Sequence, residues 1–418
     1  MGKILAASSR SVTAAVLVAT SCLGLVWAQG SDEPDPTLKA SAILTPEQLK
    51  GPNHTVAEAV TTPGFFHEFS VTSTFGTFAA DGTSQVAMRM REIAALAALN
   101  EVSKTEVFVK AAGASVVKAG TGVANAVSSP VDTAKGIGGG IKRVGVNLGR
   151  RTQRAAEDVT ADQPASAEAE AGGASDAAAG AAKSVVGING AMRRWAKKVG
   201  ADPYTTNPAL REALEGVAKV DVAGGLAAKI AVPIPPVVGT TAQVGDLVWG
   251  RDPEELRKLN EQRAREIGAS ADGAKAFFRS PAYTLTMQTR ILAALHAVRV
   301  PGVGDYLASA AEADGPRAAL FFVESAEMLQ AQHTASPVAA VLTDSRALVA
   351  KLPAGEVMAL LPLDWVRSSA ATVGTLQEIG ARAKAELGAT SLRLKLTGRL
   401  SERAVKDFAA LGWTRVGA

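Results

Sequence analysis

Cysteine is almost missing from this chain: Cys22 stands alone among 418 residues. A single thiol makes no disulfide within the chain, and no thiolate set can hold zinc or an iron–sulfur group. Histidine is scarce as well. His54, His67, His296 and His333 are the only four, and no two sit three or four residues apart. That excludes a metal or haem site of recognisable helical spacing. Aromatic residues make up 5% of a chain that is 47% hydrophobic. So few rings, with so much alanine and glycine, favour close-packed helices over a β-sandwich. A long apolar run is lacking beyond residue 28. The most apolar later stretch, residues 222–250, is broken by Lys229, Pro233, Pro235, Pro236 and Asp246. It reads as a buried hairpin or a loop–helix connection and not as a membrane span.

Charge is also sparse at the start. Lys3 and Arg10 are the only charged residues before Asp32. VTAAVLVATSCLGLVWA, residues 12–28, is apolar or small throughout. A basic start, an apolar centre and small residues at Val26 and Ala28 predict a signal peptide over 1–28, cut after Ala28. The run is shorter than the roughly 20 residues of a membrane-spanning helix. A lipoprotein would instead be cut before Cys22 and acylated there. Ala19, however, stands where such a site usually has leucine, and the apolar run continues past the cysteine. Cut after Ala28, the mature chain has no thiol. Its formal charge of +4 falls further once Lys3 and Arg10 leave, which is no global nucleic-acid signature.

Residues 29–60 are polar and rich in proline, and read as a flexible leader. Phe65 to Thr83 interleaves phenylalanine with valine and threonine and ends in Asp-Gly, the pattern of a short strand pair. Helical periodicity follows over about 84–101 and 104–119. The next segment has an unusual make-up: GIGGGIKRVGVNLGRR, residues 136–151, holds no acid. Wound as a helix, Ile137, Ile141, Val144 and Leu148 form one narrow stripe. Lys135, Lys142, Arg143, Arg150 and Arg154 fall on the other side, and Arg151 adds to the charge. Each interior glycine costs about 1 kcal/mol relative to alanine, so this helix needs a surface or a partner to form.

Residues 156–182 are alanine-rich and acidic and read as a disordered linker. Beyond them, 183–335 reads as a helical domain. Asn207 before Pro208 and Asp252 before Pro253 mark helix starts, as does Ser280 before Pro281. The tail, 336–418, changes period. Leu392, Leu394 and Leu396 alternate with Arg393 and Lys395, a half-buried strand, and Ser401 caps a helix before a last strand at Trp413. The expected fold is therefore mainly α, of the α+β kind. A signal peptide (1–28) and leader (29–60) precede a strand pair with helices (61–155). The linker (156–182), the helical domain (183–335) and a small α/β unit (336–418) follow, the last packed on the helices before it.

Catalytic motifs are mostly lacking. Ser115 and Lys118 have Ser-x-x-Lys spacing, but the Ser-Asp-Asn and Lys-Thr-Gly motifs of acyl-enzymes do not accompany them. Gly136–Gly140 lacks the Gly-Lys-Ser/Thr of a phosphate loop and follows no strand. Hence no catalytic residue, metal or cofactor is assigned. The basic stretch resembles the glycine-rich amphipathic segments of large lipid-transfer proteins, over this stretch alone. It also fits a connector docked on its own domain. Export and the absence of interleaved aromatics argue against nucleic acid. The sequence predicts an exported, periplasmic or envelope-associated, bacterial-type structural or interaction protein. Its contact, through residues 131–154, is an anionic membrane surface or another envelope protein. The alternative is a periplasmic, hydrolase-like enzyme with a carboxylate or serine site. A pocket gathering His67, His296 or His333 with acids would favour that alternative.

Overall fold

The computed structural model describes residues 33–118, 174–224, 242–342 and 347–417. The protein is a mixed α+β fold, predominantly helical. The signal-peptide segment and the basic glycine stretch lie outside the described residues, as does the acidic linker up to residue 173.

The segment read as a flexible leader is ordered from Leu38 onward. It forms β1 (Leu38–Lys39), the short helix α1 (Pro46–Leu49), β2 (Lys50–Gly51), β3 (His54–Val56) and β4 (Ala59–Val60). The reason is apolar anchoring: Ala40, Leu44, Val56 and Val60 are all buried. They pack with Phe69 and Val71 of β5 (Glu68–Ser73), Ala80 of β6 (Gly76–Asp81) and Val86 and Ile93 of the helix that follows. The β5–β6 hairpin is antiparallel, and β3 and β2 extend it to a four-stranded sheet in the order β2-β3-β5-β6. Its turn closes through Ser73, whose Oγ accepts from Phe75 N and donates to Gly76 O.

A helical body comes next. It comprises α2 (Thr83–Ser103), α3 (Glu106–Lys118), α4 (Ala174–Val199), α5 (Pro208–Gly224), α6 (Ala242–Gly250) and α7 (Pro253–Glu266). To these it adds α8 (Ala271–Arg279), α9 (Leu285–Val298), α10 (Tyr306–Ala310) and α11 (Pro316–Ala335). Helix α4 begins at Ala174, inside the stretch read as linker. The linker is also no boundary between cores. Leu96 and Leu99 of α2 and Phe108 of α3 share one buried cluster with Trp195 of α4 and Leu210 and Leu214 of α5. Asn207 and Asp252 cap α5 and α7. Ser280 and Pro281 do not start α9. Thr284 caps it instead, its Oγ1 accepting from Met287 N, while Ser280 closes α8.

The tail is β7 (Ala340–Val341), β8 (Leu348–Lys351), β9 (Glu356–Leu361), β10 (Trp365–Val366), α12 (Ala370–Leu387), β11 (Ser391–Leu396), β12 (Arg399–Leu400), α13 (Glu402–Ala410) and β13 (Trp413–Val416). Its main sheet runs β13-β11-β9-β8-β7. The first three strands are parallel, while β8 and β7 are antiparallel to their neighbours. Side chains alternate across a strand, and the cores follow. Val349, Val357 and Ala359 face Leu376 and Ile379 of α12 and Phe408 of α13. Leu348, Ala350, Met358 and Leu360 face Ile291 of α9 and Val323 and Leu329 of α11. The sheet is thus a layer shared with the helical body, with helices on both sides.

Candidate functional site

The sequence-predicted contact residues are Ile137, Ile141, Lys142, Arg143, Val144, Leu148, Arg150 and Arg151, and all lie outside the described residues. So does the Lys135–Gly140 approach to them. Ser115 and Lys118 fall within α3.

The described residues gather a different constellation. A cavity of about 130 Å³ opens between α2, the loop from Gly200 to Thr206, α6, and the first turns of α9 and α11. Its walls carry Arg89, Arg91 and Glu92 from α2, Asp202 and Thr205 from the loop, Trp249 from α6, and Thr286, Met287 and Arg290 from α9. Glu92 is buried and accepts from three side chains: Thr205 Oγ1 at 2.7 Å, Arg89 Nη1 at 2.7 Å and Asn207 Nδ2 at 2.9 Å. Asn207 in turn caps α5 through its Oδ1. One carboxylate thereby fixes the loop and the start of α5 against α2. The indole Nε1 of Trp249 donates to Ala201 O at 2.8 Å, holding the loop from the other side.

Asp202 is bound differently. Its Oδ1 accepts from Tyr204 N at 2.9 Å and Thr286 Oγ1 at 2.5 Å. Among the described residues no ion pair reaches it. Burial raises its carboxyl above the usual carboxylate range; the hydrogen bonds from Thr286 and Tyr204 oppose this, the Glu92 charge adds to it, and Arg290 opposes it. Arg290 places Nε and Nη2 on the two oxygens of Glu327 at 2.8 and 2.9 Å, a fork geometry. Behind this pair, burial pushes the Glu324 carboxyl up to about 7, against a hydrogen bond from Ser84.

A second polar junction lies at the start of α2. Asp364, from the loop after β9, accepts from His67 N at 3.0 Å and from Thr83 N at 3.2 Å. A residue far along the chain therefore caps α2, whose own N-cap position is Gly82 with φ of 111°. His67 is buried, with Nδ1 2.8 Å from Thr62 Oγ1. Burial lowers its pKa, Asp364 opposes, and Arg399 lowers it further.

No histidine lines the cavity. His54 meets Gln48 O, His296 pairs with Glu266 at 2.5 Å, and the Nδ1 of His333 accepts from Val338 N. Among the described residues no group of three or more His, Cys, Asp or Glu side chains is placed to hold a metal ion. No described helix is long and apolar enough to cross a membrane. Glu92, Asp202 and Arg290 went unnoticed in the sequence. Two left a signal: Glu92 opens the run IAALAAL, and Arg290 interrupts TMQTRILAAL. Charged residues on the core face of apolar helices require buried partners. Comparison with protein-family models, curated proteins and solved structures finds no match to the chain.

Proposed function

We propose that the protein is an exported, non-catalytic module of the cell envelope. In this reading it acts structurally or as an interaction partner and contacts an anionic membrane surface or another envelope protein through residues 131–154. The observation that carries the contact is the sequence of that stretch: Lys142, Arg143, Arg150 and Arg151 beside an Ile137–Ile141–Val144–Leu148 stripe, with no acid from Lys135 to Arg154. Lysine and arginine near an anionic leaflet contribute roughly 1 kcal/mol each, and the stripe adds modest apolar area.

Sedimentation with anionic vesicles tests the contact. The full-length mature protein is expected to pellet, and the Ile137→Asp, Ile141→Asp variant to stay in the supernatant. Equal pelleting of the two would overturn it.

A further inference from the structure

We propose that the cavity between α2, α6 and α9 binds a small molecule through an ammonium group seated on Asp202.

Arg89 is matched by Glu92 at 2.7 Å, and Arg290 by Glu327 at 2.8 Å. Among the described residues Asp202 has no such match. Its Oδ1 is occupied by Thr286 and Tyr204, both neutral donors. Asp202 is half-buried and lines the cavity. An enclosed carboxylate without a counter-charge is costly, and structural residues rarely retain one. An ammonium nitrogen supplies that charge together with hydrogen bonds that Thr286 and Tyr204 cannot give.

Size and lining narrow the ligand. The volume of about 130 Å³ compares with the roughly 150 Å³ cavity that takes up benzene. The ligand is therefore of that order, a short alkyl or cyclic amine. Met88, Val248, Trp249 and Met287 offer an apolar and aromatic lining for its carbon part, and an aromatic face also attracts a cation. Asp202 is the one wall acid for which no ion pair is found among the described residues, so the site matches a single positive charge. A dication or a metal ion is thereby disfavoured. A monoamine with a neutral or acceptor far end is preferred, and a small amino acid carries the same ammonium chemistry.

Calorimetric titration of the full-length mature protein with methyl- to butylammonium chlorides tests the proposal. Sodium propionate and sodium chloride at equal ionic strength are the controls. Binding is expected for the longer alkylammonium ions and not for propionate. Asp202→Asn keeps the shape and is expected to weaken binding about tenfold to a hundredfold, the loss of one charge-assisted contact. Because that variant alters a buried loop, its melting without ligand is measured alongside. Thr206→Trp provides a second, independent check. Thr206 is exposed at the cavity wall, so a tryptophan there is expected to take up cavity space and lower alkylammonium binding with Asp202 unchanged, and undiminished binding by that variant would count against this cavity as the site. Three results would overturn the proposal: no alkylammonium binding, binding of propionate in its stead, or undiminished binding by a folded Asp202→Asn variant.

Discussion

Replacing Glu324 by glutamine is expected to change how stability depends on pH. The carboxyl lies on α11, against Ser84 at the start of α2 and near the Arg290–Glu327 pair. Burial moves it from an ordinary 4.5 to about 7; Ser84 and Arg290 oppose this, and the charges of Glu327 and Asp364 add to it. Below 4.5 the folded and unfolded chains both hold this proton. Between 4.5 and 7 the unfolded chain has released it and the fold still retains it, so stability falls as pH rises through this window. Above 7 the loss is complete. A displacement of this size corresponds to about 3 kcal/mol at 1.4 kcal/mol per unit. The side chain keeps some accessible surface, which reduces the figure to on the order of 2 kcal/mol. Glutamine preserves the shape and an acceptor for Ser84 but does not titrate. Urea unfolding of both proteins at pH 5, 6, 7 and 8 measures the difference, in which every other titrating group cancels. The variant should gain about 2 kcal/mol on the wild type between pH 5 and pH 8. A difference that stays constant across this range would refute the reasoning, since Glu324 would then ionise in the fold as readily as outside it.

His67 acts in the opposite direction. Burial lowers its pKa below 6.5, so its contribution is present above 6.5 and lost as pH falls. His67→Gln should accordingly flatten the acid side of the same stability profile, and an unchanged acid slope would count against a buried neutral imidazole. Asp364→Ala removes the acceptor for Thr83 N and His67 N. It is expected to cost about 1–2 kcal/mol, as loss of a helix cap does. Amide exchange at Thr83 should accelerate selectively, and uniform exchange across the protein would show that the cap is not the cause.

Much of the local structure was legible in the sequence, because caps and periods are local. Asn207, Asp252 and Ser401 each bond the backbone N–H groups of the helix they precede. Leu392, Leu394 and Leu396 are buried, and Arg393 and Lys395 between them are not. The same logic failed at Ser280–Pro281, where a good N-terminal pair ends one helix before Thr284 starts the next. It failed also over 38–60. Short strands separated by prolines look like a leader until the partner surface is known, and that surface comes from β5, β6 and α2.

The contacts that were not legible join residues distant in the chain. Asp364 caps α2 across 281 positions. Glu33 accepts from Ser368 N at 2.7 Å and Ser401 Oγ at 2.6 Å, while Arg367 pairs with Asp35 at 2.6 Å. These bonds tie the first described residues to the starts of α12 and α13. They use ordinary acids, serines and an arginine with no motif spacing, because the geometry is supplied by two elements that meet only after folding. Asp202 belongs to the same class. In the sequence it is one acid in the loop GADPYTT; in the fold it is the cavity carboxylate for which the described residues supply no ion pair. Neutralising a buried, unpaired charge removes a cost and not a contact. Asp202→Asn without ligand should therefore melt no lower than the wild type, whereas truncating Glu92, which holds three donors, should melt well below it. That contrast separates a carboxylate held ready for a ligand from one that holds the fold, and thermal melting of the two variants reads it directly.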